Sequence, residues 1–411
     1  MKKPVALVIG FVWPEPKSSA AGSRMLQLIA QLQHQGFKVE FATATKHSEK
    51  AFDLEAIGVQ SHNIKLNDSS FDDFVKTLQP QLVLFDRFMT EEQFGWRVAE
   101  HCPDALRLLD TEDFHALRKA REVALKENRG LVRSDLQSDV AKREIASIYR
   151  CDLSLMISEF EMELLQTEFN IPKPLLHYLP FLLEPISEKQ IETLPTVEER
   201  QHFISIGNFL HPPNYDAVLY LKQSIWPELK KRLPEAELHI YGAYESQKVT
   251  QLHNEKVGFL IKGFAEDVSE VMQTARVCLA PLRFGAGLKG KLIDAMQNGT
   301  PCAMSSIASE AMFGEMFPNG FVADTIDSFV EKAAILYSNK AIWKEKQRNG
   351  FRVINERFNK THFEKDFKLK LQHLKEHRIK HRQDNFIGEL LMHHSFQSTK
   401  YMSRWIEEKN K

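Results

Sequence analysis

The order of apolar and polar segments along the chain predicts two successive units of alternating strands and helices. In the first half, short apolar and β-branched runs predict strands at residues 4–11, 38–45, 82–85, 105–109 and 153–157. Apolar residues at helical spacing predict helices at 23–35 and 91–101, and residues 112–150 predict one long charged helical stretch. This alternation is typical of a parallel α/β domain.

The second half repeats the pattern after a polar stretch without periodicity at residues 183–200. Strands are predicted at 203–206, 237–242, 257–263 and 275–281, and helices at 216–233 and 265–274. We therefore expect the α/β class, with two doubly wound Rossmann-like domains facing across a cleft. The boundaries predicted are 1–185 for the N-terminal domain, 186–200 for the linker and 201–360 for the C-terminal domain.

The last part of the chain, residues 361–411, has a different composition. It holds eleven Lys and Arg against seven Asp and Glu, together with six of the sixteen histidines. Amphipathic patterns predict helices at 361–383 and 384–411. Two interpretations stay open: a basic helical extension that packs back across the domains, or a partner-binding tail. In the second, Lys400, Tyr401, Arg404 and Trp405 would contact nucleic acid by charge and stacking.

Composition narrows the class of protein. The apolar fraction is 43% and the charged fraction 27%, as in ordinary globular proteins. A formal net charge of −1 implies no global attraction to nucleic acid or to a membrane. The four cysteines lack a paired metal-binding spacing, which favours reduced thiols and a cytoplasmic location. No apolar stretch is long enough for a membrane span, and the first apolar run is predicted as a strand.

The segment 277–301 carries the strongest chemical signal. An apolar run ends at Pro281, and a turn with Gly285, Gly287 and Gly290 follows, with Lys289 and Lys291 inside it. A helical pattern comes next and stops at Gly299. Glycines let backbone N–H groups approach an oxyanion, and a helix N-terminus adds favourable partial charge. Strand, glycine turn, lysines and helix together predict a phosphate site, most simply one for a diphosphate.

The helix after the turn offers a second candidate contact. Lys291, Asp294 and Asn298 share one face of it, so a carboxylate lies one turn below the predicted phosphate site. Asp294 could hydrogen-bond a ribose diol, or it could form a surface ion pair with little energetic weight. Other strand-end loops of the second half, including Gly207 and Asn208, would face loops 14–22 and 110–115 of the first half.

These residues resemble the GT-B glycosyltransferases, in particular glycosyltransferase family 4, also called group 1. The resemblance covers residues 4–360, and its strong part is 203–301, with Ile-Gly-Asn-Phe at 206–209 and Gly-Ala-Gly-Leu-Lys-Gly-Lys at 285–291. It implies a nucleotide-diphosphate sugar as donor and no other cofactor. Retention of anomeric configuration and transfer without a metal are also implied, and the chain has no Asp-x-Asp motif.

The resemblance also assigns roles to residues. Gly285, Gly287, Lys289 and Lys291 would hold the donor diphosphate and Asp294 the ribose. Gly207 and Asn208 would also contact the donor, and Gly22 would line the cleft beside the phosphates. His115, Lys291 and Arg283 are the expected catalytic residues, with His115 near the reacting sugar. The acceptor would be a hydroxyl group, for example of a glycan or a lipid-linked glycan.

The chain departs from the family pattern at several positions. The paired glutamates of the family would fall on Ala286 and Asp294, so one carboxylate is missing and the other is a methylene shorter. Asn208 and His211 stand where the family often has Arg and Lys. Positive charge for the diphosphate is therefore expected from Arg283, Lys289 and Lys291.

Three alternative functions remain open from the sequence. The turn 285–290 also matches Gly-x-Gly-x-x-Gly, with Glu310 about twenty residues further on, which would suit an NAD(P)-dependent oxidoreductase. Against this, the turn lies in the fourth strand–helix unit of its domain. Ala286 motivates a non-catalytic nucleotide-binding protein, and the basic tail motivates a glycosyltransferase that acts on nucleic acid. His115 itself could be an incidental residue of a helix N-terminus with Asp113 as its cap.

Overall fold

The computed structural model describes residues 3–410, apart from the side chain of Ser395. The first half forms a seven-stranded parallel sheet in the order β3-β2-β1-β4-β5-β6-β7. Its strands are β1 (Val5–Gly10), β2 (Lys38–Thr43), β3 (Gln60–Asn63), β4 (Leu82–Asp86), β5 (Leu106–Asp110), β6 (Leu153–Met156) and β7 (Leu176–Tyr178). Of these, β3 and β7 were not predicted; both are short, and β3 is polar.

Helices cover both faces of this sheet. They are α1 (Ala20–His34), α2 (Ser70–Leu78), α3 (Arg87–His101), α4 (His115–Lys126), α5 (Asp139–Arg150) and α6 (Glu159–Glu168). A short helix without buried residues, α7 (Glu188–Glu192), follows the sheet. The single helical stretch predicted at 112–150 is wrong, because α4 and α5 are separate helices. Asn128 takes a positive φ of 53° just after α4, and the Ser138 side chain caps α5 by accepting from the Ala141 N–H at 3.2 Å.

Burial on both faces explains why the strands of this sheet are continuous apolar runs. In β1, Ala6 and Val8 belong to the core on the α1 side, whereas Leu7 and Ile9 belong to the core on the opposite side. All four side chains are fully buried. Parallel sheets require this two-sided covering, and it removes the alternation seen in half-exposed strands.

The second half forms a six-stranded parallel sheet in the order β10-β9-β8-β11-β12-β13. Its strands are β8 (Gln201–Ile206), β9 (Leu238–Tyr241), β10 (Phe259–Gly263), β11 (Ala275–Ala280), β12 (Cys302–Met304) and β13 (Gly320–Val322). Its helices are α8 (Pro212–Tyr220), α9 (Trp226–Arg232), α10 (Gln247–Thr250), α11 (Val268–Thr274), α12 (Gly290–Gln297), α13 (Ser306–Ser309), α14 (Ile326–Ser338) and α15 (Lys340–Arg357). The expected fold class, two Rossmann-like domains, is confirmed.

The last two helices, α16 (Lys360–Asp384) and α17 (Phe386–Asn410), pack on the N-terminal domain. Phe367, Leu371 and Leu374 join the apolar core on the α1 side of the first sheet. Arg382 binds the buried Asp152 carboxylate, with Nε 2.7 Å from Oδ1. We expected the extension to pack across both domains; these contacts place it against the N-terminal one.

The topology places one switch point in each sheet. Strand order reverses between β1 and β4 in the first sheet and between β8 and β11 in the second. Loops after such strands diverge and leave a crevice, where ligands of open α/β sheets bind. The glycine turn follows β11 and the Gly207–Asn208 loop follows β8, so both lie at the switch point of the second sheet.

Two further observations concern the whole chain. The four cysteines are buried and unpaired, as expected of reduced thiols. Among residues 3–410, no helix combines the length and the apolar character needed to cross a membrane.

Candidate active site

A cleft of about 1280 Å³ lies between the two sheets and is lined by loops of both domains. It brings together eight of the residues predicted from the sequence. They are His115 from the N-terminal domain and Gly207, Asn208, Gly285, Gly287, Lys289, Lys291 and Asp294 from the C-terminal domain.

Two helix N-termini meet across this cleft. Helix α12 begins at Gly290 and α1 begins at Ala20, whose N-terminal turn is capped by the Ser19 hydroxyl accepting from the Gly22 N–H at 3.1 Å. A Cβ on Gly290 would lie 2.4 Å from the Ala20 Cβ, so only glycine allows this approach. Both helix ends carry partial positive charge, and an anion between them would be stabilised from both domains.

Lys291 places an ammonium group in the cleft through a short polar network. Its Nζ donates to the Asn214 side-chain oxygen at 2.9 Å, and the Asn214 amide donates to the Asn208 carbonyl at 3.0 Å. Burial lowers the pKa of Lys291 to about 8. The group is thus held by a neutral partner and keeps its charge available for an anionic ligand near neutral pH.

Lys289 lies deeper and is 8% exposed. Its ammonium donates to the carbonyls of Ala286 at 3.1 Å and Gly287 at 2.5 Å, so it closes the glycine turn from inside. Burial lowers the pKa of Lys289 to about 8, against the opposing charges of Glu310 and Glu161. This lysine therefore both shapes the turn and adds positive potential beneath it.

Asp294 lies one turn further along α12 and also lines the cleft. Burial raises the pKa of Asp294 to about 7, and Lys291 counteracts this only in part. The neighbouring cleft wall is formed by Gly242, Ala243 and residues 264–269 at the start of α11. A carboxyl group between the lysines and this wall can accept hydrogen bonds from a diol.

The glycine turn is bound by the N-terminal domain. The Gly287 N–H, expected to face the diphosphate, donates to Oε1 of Glu161 at 2.6 Å. Gly287 has a φ of 64°, and a Cβ there would lie 2.9 Å from the Asp113 Cβ. Ala286 packs into an apolar cluster of the N-terminal domain. The turn is therefore an interdomain contact as well as a wall of the cleft.

A second interdomain contact fixes the same turn. The two terminal guanidinium nitrogens of Arg121 on α4, Nη1 and Nη2, donate to the Glu310 carboxylate at 2.9 and 2.6 Å, and Nη1 also donates to the Gly285 carbonyl at 2.8 Å. These side chains are 11% and 14% exposed, so solvent screens the pair weakly.

Two predicted residues lie outside the cleft lining. Arg283 is exposed, and its Nε donates to Asp216 at 2.9 Å while its guanidinium covers the Tyr220 ring. Gly22 is buried in the first turn of α1, where a Cβ would lie 2.4 Å from the Glu15 backbone. Close packing against the loop before α1 therefore explains why residue 22 is a glycine. Of the three cations expected at the diphosphate, Lys289 and Lys291 line the cleft and Arg283 does not.

His115 is the first residue of α4 and is oriented by a buried carboxylate. The backbone N–H groups of His115 and Ala116 donate to Glu144 at 2.9 and 2.7 Å, and His115 Nδ1 lies 3.2 Å from Glu144 Oε1. Burial lowers the pKa of His115, but Asp113 and Glu144 outweigh it, so the net shift is upward. Phe114 is the N-cap residue of α4, so the alternative with Asp113 as the cap is wrong, and Glu144 accepts from the first N–H groups instead. The catalytic role of His115 stays a prediction.

A group of three carboxylates adjoins His115 on the N-terminal side of the cleft. One oxygen each of Asp86, Asp110 and Glu112 lies within 4.8 Å of the others. Asp86 and Asp110 are register partners at the ends of β4 and β5. Arg24 of α1 donates to Asp110 Oδ1 at 3.0 and 2.8 Å.

The sequence left several of these residues unassigned. Glu161 and Glu144 bind groups 126 and 28 residues away, and no local pattern marks such pairings. The sequence offered a weak indication for Glu161, because this residue closely follows the strand predicted at 153–157 and lies in the first turn of α6. Asn214 lies within residues 203–301, the strong part of the resemblance, but its contact with Lys291 joins residues 77 positions apart and has no local pattern.

Comparison with known proteins agrees with this geometry. Residues 200–339 match the family model described as Glycosyl transferases group 1, which spans β8 to the end of α14. No curated protein sequence matches the chain.

Solved structures with the same fold include sucrose-phosphate synthase, TarM and HepE. Sucrose-phosphate synthase from Thermosynechococcus elongatus superposes with a TM-score of 0.65 at 14% identity, over 91% of this chain and 99% of that one. TarM gives a TM-score of 0.68 at 9% identity, over 90% and 99%. HepE from Anabaena, in complex with UDP and glucose, gives 0.63 at 13% identity, over 90% and 100%.

The fold and the cleft define a GT-B protein. The C-terminal domain, over residues 200–339, is similar to the group 1 glycosyl transferases, and the whole chain shares its fold with the solved structures named above. The resemblance expected from the motif at 285–291 is confirmed.

Proposed function

We propose that this protein transfers a sugar from a UDP-sugar to a hydroxyl group of a glycan acceptor. The observation that carries the proposal is the convergence of Lys291, Lys289 and the N-termini of α12 and α1 on one part of the cleft. Two ammonium groups and two helix ends suit a diphosphate, which carries most of the negative charge of such a donor.

The donor then has one orientation along the C-terminal domain. With the diphosphate at the start of α12, Asp294 is one turn away and accepts from the ribose hydroxyls. The nucleobase extends toward Gly242, Ala243 and residues 264–269. Uracil is favoured because solved structures of this fold are described with UDP, including HepE with UDP and glucose and the pneumococcal O-GlcNAc transferase GtfA with UDP and GlcNAc.

The reaction exchanges one bond at the anomeric carbon. The acceptor oxygen bonds to that carbon, the bond to the diphosphate oxygen breaks, and its electron pair leaves with UDP. The acceptor proton passes to the departing diphosphate. Lys291 and the helix ends stabilise the charge that builds on the leaving group, a contribution worth about 3–4 kcal/mol per well-placed donor. His115 orients the transferred sugar, and we propose retention without a metal, as the resemblance implies.

Two observations disfavour the alternatives from the sequence. Glu310, which would bind a ribose in an oxidoreductase, is occupied by Arg121. In the C-terminal helices, Lys400 and Arg404 both contact Glu100 at 2.6 and 3.6 Å, so one of the two positive charges is already opposed within the protein.

The test is release of UDP from UDP-glucose, UDP-galactose and UDP-N-acetylglucosamine, with and without simple sugar acceptors. Acceptor-stimulated release from one donor is expected, and it should fall by about two orders of magnitude in Lys291→Ala. Failure of every nucleotide sugar to turn over, with UDP still bound, would favour the non-catalytic binding protein.

A further inference from the structure

Helix α17 is held on the N-terminal domain by one of its faces. A Cβ on Gly388 would lie 2.3 Å from the Tyr149 carbonyl oxygen, so the start of α17 approaches α5 as only a glycine allows. Phe396 is buried, and the Ser403 hydroxyl accepts from Arg97 of α3 at 3.1 Å. Positions 388, 396 and 403 lie about two helical turns apart on one face. The opposite face of α17 therefore points away from the domain.

This opposite face is largely apolar. It carries six exposed residues at intervals of three or four, which form a straight line that we call the outer stripe: Ile387, Leu390, His394, Ser398, Tyr401 and Trp405. Phe386 and Met402 lie beside the outer stripe, and the apolar side chains of this face are 46% to 73% exposed. Monomeric proteins rarely expose a large continuous apolar patch, so the face indicates a partner.

The arrangement of this face is symmetric about position 396. Three pairs of its residues lie at equal distances before and after that position: Ile387 with Trp405, Leu390 with Met402, and His394 with Ser398. Two copies of α17 that pack antiparallel about a two-fold axis opposite position 396 bring each residue against its counterpart. Apolar side chains then meet at both ends and polar ones in the middle. A two-fold interface must be self-complementary in this way, so the symmetry favours a second copy of the chain.

The exposed area is sufficient for a dimer. Six large apolar side chains that are about half exposed or more offer roughly 700 Å² in each copy, at about 150–250 Å² for a complete side chain. A standard interface buries about 800 Å² per partner. The polar neighbours of the outer stripe would supply the remainder.

Charge distinguishes a second copy from other occupants. The outer stripe contains no Asp, Glu, Lys or Arg, so two copies can meet without opposing like charges. Lys400 and Arg404 beside it both contact Glu100, which opposes part of their charge. Anionic membranes and nucleic acids are bound by helices whose flanks are rich in uncompensated cations.

We propose that this protein is a homodimer in which α17 of one copy packs antiparallel on α17 of the other, through the outer stripe. This inference goes beyond the proposed function and does not depend on it. In the part of the chain that the structure describes, the residues that line the cleft include none from α16 or α17, so this contact leaves the cleft of each copy accessible.

Sedimentation equilibrium of the full chain measures the association. The wild type at tens of micromolar is expected at twice the chain mass of 47.5 kDa. Leu390→Glu and Trp405→Glu each place a charge in the apolar contact and should raise the dimer Kd at least about tenfold. Phe317→Glu, at an exposed aromatic of the C-terminal domain, is the matched control and should stay dimeric. Unchanged far-UV circular dichroism checks that each variant is folded.

Cysteine cross-linking tests the register independently. The four natural cysteines are buried, so cross-links between folded chains report on introduced cysteines. A mixture of the single variants His394→Cys and Ser398→Cys should form a disulfide between the two chains on mild oxidation, because the two-fold axis places these positions opposite each other. Either variant alone should cross-link at least about tenfold less, since a disulfide requires close approach of the two Cα atoms.

Three results would overturn the proposal. They are a monomeric wild type, a dimer that neither glutamate variant weakens, and a mixture that cross-links no better than the single variants. A monomeric wild type that sediments with phosphatidylglycerol vesicles, and loses this binding in Trp405→Glu, would assign the outer stripe to a membrane instead.

Discussion

Gly290 and Ala20, the first residues of α12 and α1, face each other so closely that a Cβ on Gly290 would lie 2.4 Å from the Ala20 Cβ. The contact joins the N-terminal and C-terminal domains at the place where both helix ends point into the cleft. A glycine is required at position 290, the third glycine of the turn, because a side chain there would clash with α1 of the other domain.

Gly290→Ala should therefore keep the cleft from closing. We expect kcat/KM to fall at least about tenfold, because a small displacement of the helix ends removes charge from the leaving group. Adding Ala20→Gly removes the clashing methyl group and should restore most of the activity. A double variant as impaired as the single one would contradict the steric explanation, and thermal unfolding of both serves as the folding control.

The Arg121–Glu310 pair should contribute to the closed arrangement of the domains. Arg121→Met and Glu310→Gln are each expected to lower kcat/KM, and their double-mutant cycle should give a coupling energy of about 1–3 kcal/mol. Small-angle scattering should show a larger radius of gyration for the single variants. Additive effects with unchanged scattering would mean that the pair does not hold the domains together.

UDP affinity should decrease as the pH rises through the pKa values of the cleft lysines. Burial lowers the pKa of Lys289 and of Lys291 to about 8, so both lose their charge just above neutrality. Calorimetry from about pH 7 to about pH 9 should show a rising Kd, and Lys291→Arg, which stays charged, should flatten the rise without removing it. An affinity that is constant or tightens with pH would contradict a role for the ammonium groups.

Glu144 should stabilise the N-terminal domain as well as orient His115. Glu144→Ala leaves two buried N–H groups at the start of α4 without an acceptor, and we expect it to lower the free energy of unfolding by about 1–3 kcal/mol. Glu163→Ala, on the exposed side of α6, is the matched control and should change it by less than about 0.5 kcal/mol. Equal urea midpoints for the two variants would exclude this role.

The sequence was sufficient for most of the fold and for locating the glycine turn and the two lysines that line the cleft. Two-sided burial makes the strands apolar, and the glycines and lysines of the turn all lie within residues 285–291, so both leave a local pattern. Short strands such as β3 have no such pattern, and the break between α4 and α5 depends on one left-handed residue and one cap.

The interdomain contacts could not be predicted from the sequence. Glu161 and Gly287 are 126 residues apart, and Arg121 and Glu310 are 189 apart, so their pairing exists only once both sheets are placed. For Arg283, the local sequence suggested a contact that the tertiary structure does not make. Its position beside the turn suggested a diphosphate contact, but Asp216 on α8 holds it at the surface.

The most direct test of the account is calorimetric binding of UDP, GDP, ADP, CDP, NAD and NADP to the wild type and to Lys291→Ala, with Lys344→Ala on the exposed side of α15 as the matched control. The account predicts that UDP binds the wild type and the control alike, and binds Lys291→Ala at least about tenfold more weakly. Preferential binding of NAD or NADP, or equal UDP affinity in all three proteins, would contradict it.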